Sequence, residues 1–139
     1  MPDKNGGAGG CLCGGVRYRA GAELRDAVAC HCTQCRKTTG HHGVFSACRN
    51  QDLVMEKDET LAWYESSPGV RRGFCGKCGS TLFWDDRSRD YIAVAAGSLD
   101  KPTGIRLIKH IYVADKGDYY RIEGDIHPGS LGGFNRDPE

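Results

Sequence analysis

The sequence predicts an all-β protein of a single domain, and three observations support this. Apolar residues alternate with polar ones in several short segments, which is typical of half-buried strands. No stretch keeps the 3.6-residue apolar period of a helix over several turns. Glycine, at 20 of 139 residues, is about twice its usual ~7% share, which suits a protein rich in turns. The length of 139 residues indicates one modest core and no second domain.

The first strands are predicted between residues 16 and 29. Residues 16–20 alternate apolar and basic side chains, and residues 27–29 are a short apolar run. A turn at residues 21–22 separates them, so we expect these two segments to form a β-hairpin.

Further strands follow at regular intervals, separated by loops rich in glycine, proline and charged residues. The run at 91–96 is almost continuously apolar, so it is expected to be buried on both faces. Residues 33–38 are predicted to form a single helical turn. We expect a disordered lead-in over residues 1–9, a folded domain over 10–127 and a tail over 128–139. The other predicted strands are 44–48, 53–55, 61–64 and 105–113, while residues 71–74 lead into the motif at Cys75 and residues 81–84 follow it.

The charge pattern argues against several classes of partner. Nineteen basic residues against 18 acidic ones give a formal charge of +1, with no long run of one sign, so neither a nucleic acid nor an anionic membrane is expected to bind. No apolar run is long enough to span a bilayer, and the N-terminus has no signal-peptide pattern. We therefore expect a cytoplasmic protein, and the sequence leaves its oligomeric state open.

Eight cysteines dominate the chemistry of the chain. Four disulfides are one interpretation, but a reducing cytosol disfavours structural disulfides. The cysteines are also bunched as CxC, CxCxxC and CxxC, and these spacings are typical of thiolates that share a metal ion. The pattern therefore favours zinc over disulfides.

The densest group consists of Cys30, Cys32 and Cys35. Residues two apart on a strand point to the same face, so Cys30 and Cys32 project together, and a turn then brings Cys35 to them. A zinc ion held by three protein ligands keeps a fourth position for water or substrate, as in catalytic sites. We refer to these three cysteines as the trio.

A second metal site is predicted around Cys75 and Cys78. The CxxC spacing followed by Gly79 fits a tight knuckle in which backbone amides point at sulfur and the glycine takes a positive φ. A structural zinc needs four ligands, and the free pair Cys11 and Cys13 is the natural source of the other two. We refer to these four cysteines as the quartet.

Cys48 belongs to neither group and has two possible roles. It lies where an inward-facing strand residue is expected, so it is interpreted as a small buried apolar side chain. Alternatively it is a fourth ligand of the trio, which would close that site and remove the argument for catalysis. His31, His41 and His42 are weaker alternatives, because His31 should point away from the face of its neighbours and the other two lie in a loop.

Four cations flank the cysteine groups: Arg36, Lys37, Arg71 and Arg72. Three thiolates on Zn²⁺ carry a net charge of −1 and four carry −2, so nearby cations are expected simply to offset that charge. The alternative is that they bind an anionic substrate directly.

Taken together, these motifs resemble the glutathione-dependent formaldehyde-activating enzyme family, which includes centromere protein V. The similar segments span nearly the whole chain, at residues 10–18, 30–37, 74–80, 97–100 and 110–111. The resemblance implies a fold of zinc-bearing coiled β-sheets, sometimes called a β-tent. It also implies two zinc ions per chain, a structural one on Cys11, Cys13, Cys75 and Cys78 and a catalytic one on Cys30, Cys32 and Cys35.

The resemblance further implies a reaction. The family joins formaldehyde to the thiol of glutathione, giving S-hydroxymethylglutathione, and the reaction is classed as a carbon–sulfur lyase in the reverse sense. The expected partners are therefore a thiol such as glutathione and a small aldehyde. Glutathione carries two carboxylates, for which Arg36, Lys37, Arg71 and Arg72 are candidate ligands. The alternative is a non-catalytic zinc-binding interaction module in which both zinc sites are structural.

Overall fold

A computed structural model describes residues 7–21 and 23–123, together with the backbone of residues 126–127. Within these residues the chain forms eleven strands and one α-helix. Their bounds are β1 Gly7–Gly10, β2 Val16–Ala20, β3 Ala27–Cys30, α1 Thr33–Thr39, β4 Gly43–Arg49, β5 Leu53–Asp58, β6 Leu61–Ser67, β7 Val70–Cys75, β8 Thr81–Asp86, β9 Tyr91–Ala95, β10 Leu107–Ile111 and β11 Ile126–His127. The prediction of an all-β single domain is confirmed.

The strands form two sheets. The smaller has the order β1-β2-β5 and the larger has the order β11-β10-β3-β4-β9-β8-β7-β6. Strand β10 runs parallel to β3 and β11, and the other pairs are antiparallel. The expected hairpin between β2 and β3 is wrong, because β2 pairs with β1 and β5 in the other sheet.

The N-terminal part of the chain also differs from the expectation. Gly7–Gly10 forms strand β1, paired with β2, so the disordered lead-in predicted over residues 1–9 is corrected for residues 7–9. The physical reason is close backbone approach, since a Cβ on Gly9 would lie 2.4 Å from both the Ser98 carbonyl oxygen and the Tyr18 hydroxyl. Residues 1–6 and the predicted tail at 128–139 lie outside the described residues.

The main core lies between the two sheets. Tyr18 on β2 is fully buried, and its ring meets Phe83 of β8 edge-on at 5.2 Å between centroids. The Tyr18 hydroxyl is 2.5 Å from the Ser98 hydroxyl, so the buried phenol has a polar partner. Burial of a phenylalanine such as Phe83 contributes about 1.5–3 kcal/mol. Strand β9 is buried along its whole length, as its apolar run predicts.

The opposite face of the large sheet holds a transverse row of side chains in register. Arg72 on β7 pairs with Trp84 on β8, Trp84 with Ala93 on β9, and Ala93 with Ala47 on β4. Arg72, Trp84 and Ala93 of this row line the cavity described below, whereas Ala47 is covered by Tyr91 and Trp84.

Helix α1 follows the end of β3. The Cys32 side chain caps it by accepting a hydrogen bond from the Cys35 amide, and Gly40 ends it in a left-handed conformation with φ of 90°. The helical turn predicted at 33–38 is therefore extended by one residue. Among the described residues, no helix has the length and apolar character needed to cross a bilayer.

Candidate metal centres and an adjoining cavity

The four cysteines of the quartet meet although they are far apart in sequence. Their sulfur atoms all lie within 4.8 Å of one another. The Cys13 sulfur is 3.6 Å from that of Cys11 and 3.6 Å from that of Cys75. Four sulfurs at ~2.3 Å from one tetrahedral zinc lie about 3.8 Å apart, so the quartet has the dimensions of such a site.

Hydrogen bonds lower the pKa of the two knuckle cysteines of the quartet, Cys75 and Cys78. The amides of Lys77 and Cys78 donate to the Cys75 sulfur at 3.4 and 3.3 Å, which is the knuckle geometry expected from the sequence. Gly79 takes a φ of 80°, as predicted. The side-chain hydrogen bond with Ser80, followed by its backbone amide, lowers the pKa of Cys78 to about 5. Because metals bind thiolates, a lowered thiol pKa favours metal binding.

The trio forms a second, separate group, and its sulfurs also lie within 4.8 Å of one another. Cys30 ends β3, Cys32 caps α1, and Cys35 lies buried in the first turn of that helix. The hydrogen bond from Cys30, followed by that from Cys35, holds the pKa of Cys32 well below its usual value. The pKa of Cys30 is raised, chiefly by its hydrogen bond with Cys32. Within the trio, these hydrogen bonds favour the thiolate form at Cys32 over Cys30.

Cys48 does not join the trio, and strand geometry explains why. Cys30 pairs with Gly43 on β4, so its side chain shares the face of residues 43, 45 and 47. Residues 43, 45 and 47 are the odd-numbered residues of β4. Cys48 is an even-numbered residue of β4 and therefore points to the opposite face. There it is fully buried in the core between the sheets, and burial raises its pKa to about 12. Its interpretation as a buried apolar side chain agrees with this position.

The histidines near the trio have other partners. The His31 side chain lies buried against Tyr120 and His110, with its Nε2 3.0 Å from His110 Nδ1 and its Nδ1 hydrogen-bonded to the Tyr120 hydroxyl. Burial lowers the pKa of His31 to about 4, followed by the effect of neighbouring histidines. His41 bonds the Tyr119 hydroxyl, and His42 lies against the His31 ring. In the described part of the chain, no histidine, cysteine or carboxylate joins the trio as a fourth ligand.

The four candidate cations lie in different surroundings. Arg72 is buried and donates to the Cys35 sulfur at 3.6 and 3.7 Å. Arg71 pairs with Asp85 at 2.9 Å and lies over the Trp63 ring. Arg36 is half-buried and Lys37 exposed on α1. Of these four, Arg72 lines the cavity beside the trio. A role in substrate binding stays a prediction for all of them.

This cavity has a volume of about 510 Å³ and includes all three trio cysteines in its wall. None of the quartet cysteines is among its lining residues. Aromatic side chains supply much of the surface, namely Phe45, Trp84, Tyr91 and Tyr112. The arrangement places a metal-binding group at the edge of a space large enough for a small molecule.

Sequence reasoning missed the residues that line this cavity away from the trio. Tyr91 was assigned to a strand without a face, Trp84 only to the segment after the Cys75 motif, and Arg25 was not singled out. The period-2 pattern places Trp84 on one face of β8, but which face adjoins the trio depends on the register with β9 and β7. No local signal in the sequence indicates that Arg25 is buried.

The fold and the two cysteine groups define a class of protein. It is a β-sheet protein with two separate cysteine clusters compatible with zinc. The quartet joins the loop after β1 to the knuckle, and the trio borders a cavity. A profile of the family described as "Glutathione-dependent formaldehyde-activating enzyme" matches residues 7–115. The chain therefore belongs to this family, and the resemblance noted from the sequence is confirmed.

Individual relatives agree with this assignment. A putative glutathione-dependent formaldehyde-activating enzyme of Halomonas elongata is 31% identical over 127 residues, covering 83% of this chain and 80% of the relative. An uncharacterized lyase of Schizosaccharomyces pombe is 33% identical over 76 residues, and the match covers 55% of each chain. A crystal structure of a Rhodobacter sphaeroides protein has a TM-score of 0.59 at 27% identity, covering 68% of this chain and 88% of that one.

Proposed function

We propose that this protein is a zinc-dependent enzyme of the carbon–sulfur lyase type, which joins a small aldehyde to a thiol such as glutathione and catalyses the reverse cleavage. The observation that carries the proposal is the position of the trio. Cys30, Cys32 and Cys35 border the cavity, whereas the quartet does not. The family match and the name of the Halomonas elongata relative support formaldehyde and glutathione as the substrate types.

Under this proposal the two cysteine groups have different roles. The quartet binds a structural zinc that joins the loop after β1 to the knuckle between β7 and β8. The trio binds a second zinc, which supplies a Lewis acid and lowers the pKa of a bound thiol. The trio thiolate character, centred on Cys32, suits it to hold a cation of this kind.

The reaction itself requires no oxidant or reductant. In the direction of synthesis, the thiol sulfur forms a bond to the carbonyl carbon, the π electrons of C=O move to oxygen, and the thiol proton ends on that oxygen. In the reverse direction the C–S bond breaks, sulfur keeps the electron pair, and the hydroxyl proton is returned. The protein orients the bound thiol and aldehyde, and the aromatic side chains of the cavity wall exclude water from them.

Arg72 has a positioning role in this scheme. Its guanidinium contacts the Cys35 sulfur, and Thr38 Oγ1 and Gln34 Oε1 accept hydrogen bonds from it at 3.3 and 3.4 Å. These contacts fix the first turn of α1 against β7 and place positive charge beside the sulfurs. The geometry of the trio thereby depends on a cation from a distant strand.

Exchange NMR tests the function. Purified protein is expected to contain about two zinc ions per chain, and to speed the exchange between formaldehyde with glutathione and S-hydroxymethylglutathione above the spontaneous rate. Cys32→Ala is expected to abolish this acceleration, with about one zinc retained and the far-UV circular dichroism unchanged.

Cys48→Ala is the matched control, because it removes a cysteine of the same strand region that points away from the cavity. It should keep both zinc ions and the acceleration. Full zinc occupancy without acceleration, for every thiol and aldehyde tested, would contradict the enzyme and leave the non-catalytic zinc-binding module.

A further inference from the structure

The cavity is lined by a second buried arginine in addition to Arg72. The Arg25 amide donates to the Ala47 carbonyl at 3.0 Å, which places Arg25 at the end of the row that continues through Ala93 and Trp84 to Arg72. Four strand spacings of about 4.8 Å put the Cα atoms of Arg25 and Arg72 roughly 19 Å apart along the sheet. Both side chains line the cavity. Arg72 contacts the Cys35 sulfur, whereas Arg25 precedes strand β3, which ends at Cys30, so the two arginines enter the lining at different places.

Arg25 is a buried cation that forms no ion pair within the part of the chain that the structure describes. Its side chain is only 8% exposed, and its hydrogen-bond acceptors are the backbone carbonyls of Phe45 and Asp26, at 3.0 and 3.2 Å. Burial lowers its pKa to about 10, so the guanidinium is still charged at neutral pH. A buried charge is costly unless a counter-ion pairs with it.

The other charged residues that line the cavity do not supply this counter-ion. Arg72 contacts the Cys35 sulfur, and Arg89 pairs with Asp86 at 3.2 Å. Asp115 is exposed at the rim, where water solvates its carboxylate. Among the described residues, the Arg25 guanidinium is thus left without an anion, and it matches a ligand with a single negative charge.

Most of the remaining lining is apolar. Phe45, Trp84 and Ala93 line the cavity, together with Val28 and Ile111. The Tyr91 ring stacks against Trp84 at 6.5 Å between centroids and lies at the Arg25 end, within electrostatic range of both Arg25 and Arg89. Such walls favour an aromatic or aliphatic body and offer few partners to amide groups.

We propose that Arg25 binds the carboxylate of the thiol substrate and that the substrate is a mercaptocarboxylate whose body, between sulfur and carboxylate, is aromatic or aliphatic. The inference rests on the proposed function for the thiol at the trio end. It narrows the substrate class, because a carboxylate of glutathione satisfies Arg25 whereas its peptide amides meet a lining that is mostly apolar, with Thr33, Gln34 and Ser67 as its small polar residues.

Binding of a sulfur-free probe tests the carboxylate end without involving the trio chemistry. The zinc-loaded protein is titrated calorimetrically with 3-phenylpropanoate and with the neutral 3-phenylpropan-1-ol. The carboxylate should bind about 10- to 100-fold more tightly than the alcohol, since a hydrogen bond to a charged group is involved. Arg25→Gln should remove this difference, and Arg25→Lys should restore part of it. Arg19→Gln, which breaks an exposed ion pair with Glu56 on the other sheet, is the control and should change nothing.

A second variant covers the case in which Arg25→Gln does not fold. Ala93→Leu keeps every charge but fills the middle of the row, so it should abolish binding of the probe. Equal binding of the acid and the alcohol, or undiminished binding in Ala93→Leu, would overturn the inference.

Substrate comparison then separates this inference from the proposed function. In the exchange assay, 4-(mercaptomethyl)benzoate should be a better thiol than both glutathione and phenylmethanethiol. If glutathione is accelerated more than the mercaptobenzoate and the probe does not bind, the inference fails and the enzyme stands. If the probe binds as expected but no thiol is accelerated, the Arg25 site stands and the proposed reaction fails.

Discussion

Replacing Arg72 by glutamine is expected to weaken metal binding at the trio while sparing the quartet. Arg72 is 6% exposed, so solvent screens its charge little, and two of its guanidinium nitrogens lie 3.6 and 3.7 Å from the Cys35 sulfur. A hydrogen bond to a charged group contributes about 1.5–3 kcal/mol, which corresponds to about 10- to 100-fold in affinity. Replacing a residue that hydrogen-bonds to a metal ligand typically lowers the metal affinity by about this factor.

The measurement is transfer of zinc to a chromogenic chelator of known affinity, starting from protein that holds both ions. Wild type should release zinc in two classes, and Arg72→Gln should shift only the weaker class by about 10- to 100-fold. Arg71→Gln is the matched control. Arg71 is the next residue in the chain, but its guanidinium pairs with Asp85 and lies over the Trp63 ring, away from the trio sulfurs. The reasoning is refuted if both variants shift the same class equally, or if Arg72→Gln leaves both classes unchanged while circular dichroism shows a native fold.

Three further variants test the packing around the two cysteine groups. Cys78→Ala should unfold the protein or make it insoluble, because binding of a structural metal contributes directly to folding; solubility and circular dichroism check this, and a soluble native variant would contradict it. Cys48→Ala should lower the free energy of unfolding by about 1–2 kcal/mol in urea titration while keeping both metal ions, since it removes one buried sulfur from the core; loss of one ion would show that it is a ligand. Gly9→Ala should destabilise by about 1–3 kcal/mol or more, because its Cβ would lie 2.4 Å from the Ser98 carbonyl oxygen; an unchanged melting temperature would disagree with this strand position.

The cysteine groups illustrate what local spacing is able to predict. The knuckle at Cys75 and Cys78 needs only a few consecutive residues, so sequence spacing indicates it directly. Strands with a period-2 pattern, such as β2, are equally local. A local pattern does not show which strands pair, because strands that are neighbours in sequence can lie in different sheets. The predicted hairpin between β2 and β3 is therefore wrong.

Strand register decided the features that spacing leaves open. Cys30 of β3 pairs with Gly43 of β4, so its side chain shares the face of the odd-numbered residues of β4, and Cys48 lies on the other face. A register shift of one residue would have placed both cysteines on the same face. The placement of β10 beside β3 brought His110 to His31 and gave that histidine a partner away from the trio.

The sequence by itself determined that this chain is a β protein with two groups of clustered thiols, because strand periodicity and metal-ligand spacing act over a few residues. Only the tertiary structure decided which group borders a cavity, that Arg72 contacts the Cys35 sulfur, and that Arg25 is buried with no counter-ion among the described residues. These properties depend on which strands are neighbours and in what register, and hydrogen bonds between residues far apart in sequence set both.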